Sequence, residues 1–197
     1  MPKYSNRDRY LDPATGVLIN RLGLTTEAAL EENEAALVAA RSFELAQTPL
    51  RGDFDFTHLK AIHRCLFGDV YEWAGECRTV DINRGNTFFA HHSHIERAAQ
   101  PIFLGLKKEG FLAGMNPETF SGRAAHYLGE INALHPFREG NGRAQREFIS
   151  HLAYKNGYHI DWKNISQAEM IQASLESFNG DCSKFAAYIY KNLQKLT

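Results

Sequence analysis

The chain has few cysteines, no long apolar run and almost no net charge, and each shortage excludes a class of protein. Its three cysteines, Cys65, Cys77 and Cys182, show no paired spacing, so the sequence does not predict a disulfide framework. A net charge of −1 gives no broad attraction for nucleic acid or anionic membranes. No apolar run approaches the roughly 20 residues of a spanning helix, and the polar N-terminus is unlike a secretory signal. We therefore expect a cytoplasmic protein with no direct nucleic-acid or membrane contact.

Helical periodicity dominates the 197 residues, of which 44% are hydrophobic. The first helix is predicted over about 25–45, with Leu30, Leu37, Ala40 and Phe43 on its buried stripe. Further helices are predicted from about 57, over 93–108, over 117–134, from the turn after 140 to about 156, over 166–177 and over 183–195. The run 79–82, a turn at 83–86 and the run 87–90 predict a β-hairpin, the one strand signal that we identify. The sequence thus predicts a single, mostly α domain with one hairpin.

A twelve-residue stretch near the middle of the chain concentrates groups that nucleotide chemistry uses. A histidine can accept a proton near neutral pH, and a carboxylate can hold a divalent cation. A glycine-rich turn before a helix can adopt positive φ and present N–H groups to phosphate, while arginines bind phosphate oxygens as forks. The residues concerned are His135, Glu139, Gly140, Asn141, Gly142, Arg143 and Arg146.

This stretch, His135–Arg146, resembles the signature of Fic (Fido) proteins, His-x-Phe-x-(Asp/Glu)-Gly-Asn-Gly-Arg-x-x-Arg, with every fixed position filled. The resemblance extends upstream to Asp69–Gly75 and the hairpin, and downstream to about Tyr190. It is strongest towards Fic toxins of bacterial toxin–antitoxin modules and the Fic domains of conjugation or secretion effectors. It implies one helical Fic domain over 1–197, with a core at about 55–190, an N-terminal helical extension at about 1–50 and the hairpin as a flap over the active site.

The resemblance also implies an activity, the transfer of AMP from ATP to a Tyr, Ser or Thr hydroxyl of a target protein with release of pyrophosphate. In that mapping His135 is the general base that deprotonates the attacking hydroxyl. Phe137 is the buried anchor of the loop, and Glu139 is the ligand of Mg²⁺.

The remaining signature positions map onto the phosphates of ATP. The resemblance implies that Gly140, Asn141 and Gly142 form the anion-binding turn, with Asn141 contacting the α-phosphate. It assigns Arg143 to the β-phosphate and Arg146 to the γ-phosphate.

Two further groups of residues follow from the resemblance. The flap, residues 79–89, would place its tip near the nucleotide and pair its edge with an extended segment of the target; its tip residues are Arg84, Gly85, Asn86 and Thr87. Met170, Ser174 and Phe178, at helical spacing, would line the adenine pocket. The alternatives are a plain surface hairpin and ordinary core packing.

His91-His92-Ser93-His94 is a candidate metal cluster. Adjacent histidines rarely share one metal without further ligands, and no cysteine or carboxylate has matching spacing nearby in the sequence. We therefore do not predict a metal site at these histidines.

Fic proteins are commonly inhibited by a helix with the pattern Ser/Thr-x-x-x-Glu-Gly/Asn, whose glutamate pairs with the second signature arginine. No Ser or Thr of this chain is followed four positions later by glutamate, and Glu32-Asn33 lacks its partner because position 28 is Ala28. The resemblance therefore implies either a separate small antitoxin, whose helix reaches Arg146 in trans, or an enzyme without this inhibition.

The resemblance implies a protein partner as the substrate. Type II topoisomerase subunits are targets of some similar toxins, and host small GTPases are targets of some similar secreted effectors. We expect action in the bacterial cytoplasm, with delivery into another cell if the chain is part of a longer effector.

Two other functions compete with adenylylation. One is a nucleotide-binding regulatory module without catalysis, which the presence of both His135 and Glu139 disfavours. The other is Fic-type transfer of a different nucleotide or phosphate-containing group. Relatives that transfer phosphate depart from Gly-Asn-Gly in the loop, and this chain does not.

Overall fold

A computed structural model describes residues 8–85 and 87–196, and helices dominate that part of the chain. The helices are α1 Glu27–Gln47, α2 Phe56–Phe67, α3 Ile95–Lys108, α4 Pro117–Leu134, α5 Asn141–Lys155, α6 Gln167–Phe178 and α7 Ser183–Asn192. Two antiparallel pairs of short strands accompany them, β1 Asn83–Arg84 with β2 Thr87–Phe88, and β3 Tyr158–Ile160 with β4 Leu193–Lys195. No helix in these described ranges is both long and apolar enough to span a bilayer.

Helix α4 lies at the centre and packs against α3, α5, α6 and α7. Small residues on its buried faces permit this close packing: Ala124 and Ala125 have no exposed surface. A Cβ at Gly129 would lie 2.9 Å from the Cys182 sulfur, so glycine allows α4 and the start of α7 to approach. Burying α4 on several sides fixes the position of its C-terminal end, where His135 follows.

Local sequence signals set several helix ends where the sequence predicts them. The Asn116 side chain caps α4 by accepting from the Thr119 N–H at 2.9 Å, and Pro117 occupies the first turn. Ser166 and Glu169 form a reciprocal capping box at the start of α6. The predicted helices over 117–134 and 166–177 are therefore confirmed to within one residue.

The strand predictions need correction. The run 79–82 forms no strand, because the Thr79 N–H donates to the Tyr10 hydroxyl at 3.1 Å rather than across the hairpin. The ladder consists of Asn83 opposite Phe88 and Arg84 opposite Thr87, so the connection is two residues long.

The second strand pair, β3 with β4, was not predicted from sequence. The last helix ends at Asn192 instead of Lys195, because residues 193–195 extend and pair with 158–160. This pairing is long-range, so helical periodicity near the C-terminus could not indicate it.

Helix α1 packs on α2, and its buried stripe is displaced from the predicted one. Its buried residues are Leu30, Glu34, Val38 and Leu45, whereas Phe43 is 68% exposed. The stripe that faces α2 therefore carries a carboxylate, Glu34, into the protein interior.

Candidate active site

His135 terminates α4 in the left-handed region, with φ 44° and ψ 61°. Its side chain is half-buried, and its Nδ1 lies 3.0 Å from the Asn132 carbonyl oxygen. A carbonyl only accepts, so Nδ1 carries the hydrogen and the neutral ring keeps its lone pair on Nε2. This is the tautomer in which Nε2 can act as a base.

The flap covers the His135 imidazole with Phe89. The two rings are stacked, with centroids 3.7 Å apart and planes at 15°. Phe89 is half-buried at the end of the hairpin, beyond β2. Sequence reasoning gave this residue no separate role. No local pattern indicates which flap residue faces the loop of residues 135–140 between α4 and α5, the candidate catalytic loop.

Arg78 connects the base of the flap to the same loop. Its buried guanidinium donates through Nε to the His135 carbonyl at 2.9 Å, through Nη1 to the Val80 carbonyl at 2.8 Å and through Nη2 to the Ala90 carbonyl. Its backbone N–H donates to the Pro136 carbonyl at 2.8 Å. Burial lowers the pKa of Arg78. No local sequence pattern indicates that this arginine faces inward.

The glycine turn is only partly as predicted. Gly140 has φ 78°, and a Cβ there would lie 2.3 Å from the Phe67 ring, so both conformation and space require glycine. Gly142 instead lies within α5 and is not among the positive-φ residues. The expectation of positive φ at Gly142 is therefore wrong, because the helix begins one residue before it.

Asn141 closes the turn with its side chain. Its Nδ2 donates to the Phe137 carbonyl at 2.7 Å, and its Oδ1 accepts from the Phe137 N–H at 2.8 Å. Both residues are buried, Asn141 at 4% and Phe137 at 0% exposure. The Asn141 side chain is thus committed to the loop, and any phosphate contact by this residue would come from its backbone N–H.

The N-terminus of α5 presents backbone donors beside this turn. The first intrahelical bond runs from the Ala144 N–H to the Gly140 carbonyl at 3.1 Å, and within the described ranges no side chain caps the helix. The N–H groups at 141–143 precede that bond and point along the positive end of the helix dipole. Such a terminus favours an anion.

His63 holds the loop from beneath, and sequence reasoning missed it. Its Nδ1 accepts from the Gly75 N–H at 2.9 Å, so Nε2 carries the hydrogen and donates to the Glu139 carbonyl at 2.9 Å. Its ring stacks on Phe137 with centroids 3.8 Å apart. Burial lowers the pKa of His63 to about 3, so the ring is neutral at physiological pH. The sequence signal that could have identified it is its position among the apolar residues of α2, which indicates a buried histidine.

Glu139 and Arg143 lie on either side of the glycine turn, Glu139 before Gly140 and Arg143 in the first turn of α5. A Glu139 carboxylate oxygen accepts from the Gly140 N–H at 3.0 Å, and the carboxylate is 28% exposed. Arg143 Nη2 is 3.9 Å from that oxygen and 2.5 Å from an oxygen of Glu34 on α1. The Arg143 guanidinium also lies over the Phe67 ring, 4.6 Å from its centroid.

Arg146 lies one helical turn further along α5 and is half-buried. Burial, and then the nearby charge of Arg143, lower its pKa. The ion pairs of residues 8–85 and 87–196 include none at Arg146, and Glu32 is exposed on α1. A Cβ placed on Gly142 would lie 3.6 Å from Arg146 Nη1, so this guanidinium borders the start of α5.

A family model described as the Fic/DOC family matches residues 53–153, which include α2, the flap and the whole catalytic loop. The chain belongs to the Fic/DOC family. It is 40% identical over 190 residues to the protein named a probable protein adenylyltransferase, Fic, of Salmonella typhimurium, covering 96% of this chain and 94% of that one.

Two further comparisons concern Bartonella proteins. The Fic domain is 50% identical over 198 residues to the protein adenylyltransferase VbhT of Bartonella schoenbuchensis, covering all of this chain but only 41% of that longer protein. It superposes with a TM-score of 0.91 and 27% identity on the N-terminal Fic domain of a VirB-translocated Bep effector protein from Bartonella quintana, solved with bound ADP, covering 95% of each chain. The predicted mostly helical Fic fold is thereby confirmed.

The described residues predicted at the flap tip lie in or beside the hairpin turn, and one of the predicted adenine residues lies at a cavity. Gly85 takes φ 58° in the turn between the paired Arg84 and Thr87, and Asn86 lies outside the described residues. Phe178 lines a cavity of about 540 Å³ between the flap, α3 and α4. Its ring meets that of Phe89 edge-on, with centroids 6.3 Å apart.

The other two predicted adenine residues, Met170 and Ser174, are half-buried on α6 and do not line that cavity. The Ser174 hydroxyl donates to the Met170 carbonyl at 2.8 Å, within the helix. The Ser174 carbonyl accepts from the Asn132 side chain at 3.4 Å, which places this part of α6 beside the end of α4.

The histidine cluster acquires a carboxylate that sequence spacing did not indicate. Asp81 lies 3.1 Å from His91 Nε2 and 3.0 Å from His92 Nδ1, across the base of the flap. Ring nitrogens and carboxylate lie within 4.8 Å of one another, close enough for one metal ion. The expectation that no carboxylate lies near these histidines is therefore wrong, because the fold brings Asp81 next to them. The Asp81 carboxylate also accepts from the His92 backbone N–H at 2.8 Å, so it caps the short helical turn that His92 begins.

The neutral state of His63 makes stability depend on pH. In the unfolded chain a histidine gains a proton near pH 6.5, whereas folded His63 does so only near pH 3. As pH falls between these values, this group should lower the unfolding free energy by up to ~1.4 kcal/mol per pH unit. Urea denaturation of the wild type and of His63→Gln at a series of pH values measures the contribution. The variant should show a flatter pH dependence, and parallel dependences would contradict the assignment.

Proposed function

We propose that this chain is a protein adenylyltransferase, which transfers AMP from ATP to a Tyr, Ser or Thr hydroxyl of a target protein. The observation that carries the proposal is the His135 tautomer, with Nδ1–H bound to Asn132 and the basic lone pair on Nε2, next to the uncapped start of α5. Its support from relatives is the naming of VbhT and of the Salmonella protein as protein adenylyltransferases.

In this reaction His135 Nε2 accepts the proton of the target hydroxyl as its oxygen attacks the α-phosphorus of ATP. The bond between that phosphorus and the oxygen bridging to the β-phosphate breaks, and pyrophosphate leaves. The N–H groups at the start of α5 stabilise the charge on the phosphate oxygens. Because Nδ1–H stays bound to Asn132, the ring keeps its orientation during proton transfer.

Glu139 is the residue that we expect to hold Mg²⁺. Its partly exposed carboxylate lies beside the anion-binding turn, and Mg²⁺ commonly uses one or two protein carboxylates together with phosphate oxygens. This donor set fits the ion. Bound there, Mg²⁺ would neutralise phosphate charge, while His63 holds the Glu139 backbone in place.

The two arginines and the turn complete the proposed phosphate site. Arg143 contacts the β-phosphate and Arg146 the γ-phosphate, each through guanidinium donors. Gly140, Asn141 and Gly142 form the wall against the α-phosphate. Because a Gly142 Cβ would border Arg146, glycine keeps the approach to that side open.

The flap and α6 supply the proposed contacts to target and adenine. The strand edge around Arg84, Gly85, Asn86 and Thr87 pairs with an extended segment of the target and holds its hydroxyl near His135. Adenine lies against α6, on the side of Met170, Ser174 and Phe178. The stacking of Phe89 on His135 places the end of the flap over the base.

The general-base role of His135 predicts that His135→Ala abolishes transfer while leaving ATP binding nearly unchanged. A positioned base contributes ~10²–10⁴-fold, so AMP incorporation should fall by at least this factor. Labelling of lysate proteins with ATP carrying a labelled α-phosphate, together with pyrophosphate release, measures it.

Undiminished labelling by this variant would remove His135 from the mechanism. A wild-type chain that binds ATP but never releases pyrophosphate would support the non-catalytic regulatory module instead. Label from other nucleotides in preference to ATP would support transfer of a different group.

The metal role of Glu139 predicts that Glu139→Ala raises the Mg²⁺ concentration required for turnover. Without the carboxylate, phosphate oxygens alone would hold the ion. Mg²⁺ titrations of pyrophosphate release by both proteins give the comparison. If the two titration midpoints coincide, another group holds the ion.

Control by a separate antitoxin follows from the charge on Arg146. Its half-buried guanidinium has no ion-pair partner among the described residues, and a carboxylate from a small helical partner would occupy the fork that the γ-phosphate requires. Misplacing the γ-phosphate also misplaces the α-phosphate, so in-line attack fails.

The antitoxin proposal predicts that the isolated chain is active and toxic when expressed in the bacterial cytoplasm. Co-expression of the partner should suppress toxicity, and an alanine at the partner's glutamate should restore it. Growth curves with and without induction test this, with His135→Ala as the inactive control. A chain that is inert towards every lysate tested would count against it.

A further inference from the structure

Glu34 is a buried carboxylate outside the Fic signature that contacts the signature directly. It lies on α1, more than one hundred residues from the catalytic loop in sequence, and its side chain is 9% exposed. One carboxylate oxygen accepts from Arg143 Nη2 at 2.5 Å, and the other accepts from the Tyr71 hydroxyl. Both oxygens of Glu34 therefore have a partner.

We propose that Glu34 is a positioning residue that keeps the Arg143 guanidinium turned towards α1 and away from the Glu139 carboxylate. The inference rests on the proposed function, in which Glu139 holds Mg²⁺ and Arg143 contacts phosphate. It adds that α1, outside the signature, controls how well the site accepts Mg²⁺ and ATP together.

Arg143 lies between two carboxylates. Its Nη2 is 2.5 Å from Glu34 and 3.9 Å from Glu139. The contact to Glu34 is a hydrogen-bonded ion pair, while the second distance permits only a weaker charge attraction. Arg143 Nη2 is therefore hydrogen-bonded to Glu34 and not to Glu139.

Breaking the ion pair between Glu34 and Arg143 is unfavourable. The Glu34 carboxylate is buried, and breaking a buried pair leaves a charge without its counter-ion, which is strongly unfavourable. Tyr71 remains a donor to the carboxylate, since burial and then the Glu34 charge raise the pKa of its hydroxyl. The Arg143 guanidinium also lies over the Phe67 ring. These contacts restrict Arg143 to one orientation.

In this orientation Arg143 can still bind phosphate. A guanidinium carries five N–H donors, and Glu34 engages Nη2 only. The side chain is 30% exposed, so part of the fork reaches the site. Arg143 can thus pair with Glu34 and a phosphate oxygen at the same time.

Loss of the Glu34 charge would change this balance. Arg143 would then be expected to turn to Glu139, which lies one helical turn away and is already within 4 Å. An arginine paired with Glu139 competes with Mg²⁺ for the same carboxylate. The cation requirement for ATP binding should therefore rise.

The test compares Glu34→Gln with the unchanged chain, each carrying His135→Ala so that ATP is bound but not consumed. Calorimetric titration with ATP over a series of Mg²⁺ concentrations gives the Mg²⁺ midpoint for binding. We expect Glu34→Gln to raise this midpoint about tenfold, the order of one moderate charge interaction, and high Mg²⁺ to restore the affinity.

A double-mutant cycle separates positioning from a structural effect. With Arg143→Gln already present, Glu34→Gln should cause no further rise in the Mg²⁺ midpoint, because the competing cation is absent. A structural defect would act equally in both backgrounds. Tyr71→Phe, which keeps the Glu34 charge, should shift the midpoint less than Glu34→Gln does.

A matched control exists where the end of α3 contacts α4, outside the residues 135–146. Glu109 accepts from Arg123 and from the Tyr127 hydroxyl, which gives the same glutamate, arginine and tyrosine combination away from the catalytic loop. Glu109→Gln should lower the melting temperature without moving the Mg²⁺ midpoint. Circular dichroism of each variant reports folding. If Glu34→Gln does not fold, Glu34→Met replaces it, because methionine also removes the charge and has a similar length.

Two results would overturn the proposal alone while the proposed function stands. One is normal Mg²⁺-dependent ATP binding with an unchanged midpoint in Glu34→Gln. The other is an equal loss in the Arg143→Gln background. If the chain with Glu34 and Arg143 intact shows no Mg²⁺-dependent ATP binding, the proposed function fails, and this inference fails with it.

Discussion

The two hydrogen bonds between the Asn141 side chain and the Phe137 backbone are the constraint on which the site depends. They close the turn between α4 and α5, and thereby set the distance from the proposed base, His135, to the donors at the start of α5. The bonds are buried, so water does not compete with them. His63 then fixes the carbonyl of Glu139, and Arg78 fixes that of His135. Buried side chains thus shape a loop whose exposed groups carry the chemistry.

Charge is distributed unevenly around this loop. Two arginines and the positive end of α5 meet one partly exposed carboxylate, Glu139, which makes the site attractive to a polyphosphate with a divalent cation. Burial, and then the nearby charge of Arg143, lower the pKa of Arg146. Glu34 offsets part of the excess charge from outside the signature. The helix that supplies Glu34 is therefore electrostatically part of the site.

The base of the flap is hydrogen-bonded to the candidate catalytic loop through Arg78. Arg78 binds carbonyls on both arms of the hairpin, Val80 and Ala90, as well as the catalytic loop. Phe89 lies over the His135 ring as a consequence. Movement of the flap base would therefore disturb the proposed general base.

The family, the helical fold and the candidate site residues could be predicted from the sequence, because these follow from local order. His135 to Arg146 are adjacent along one loop and one helix, and caps such as Asn116 act on their own helix. Contacts between distant segments could be decided only by tertiary packing. The burial of Glu34 against Arg143, the inward turn of Arg78 and the role of His63 all depend on which face of each element meets its neighbour. Helical periodicity favours apolar residues at such positions, so it cannot indicate a buried charge whose partner lies far along the chain.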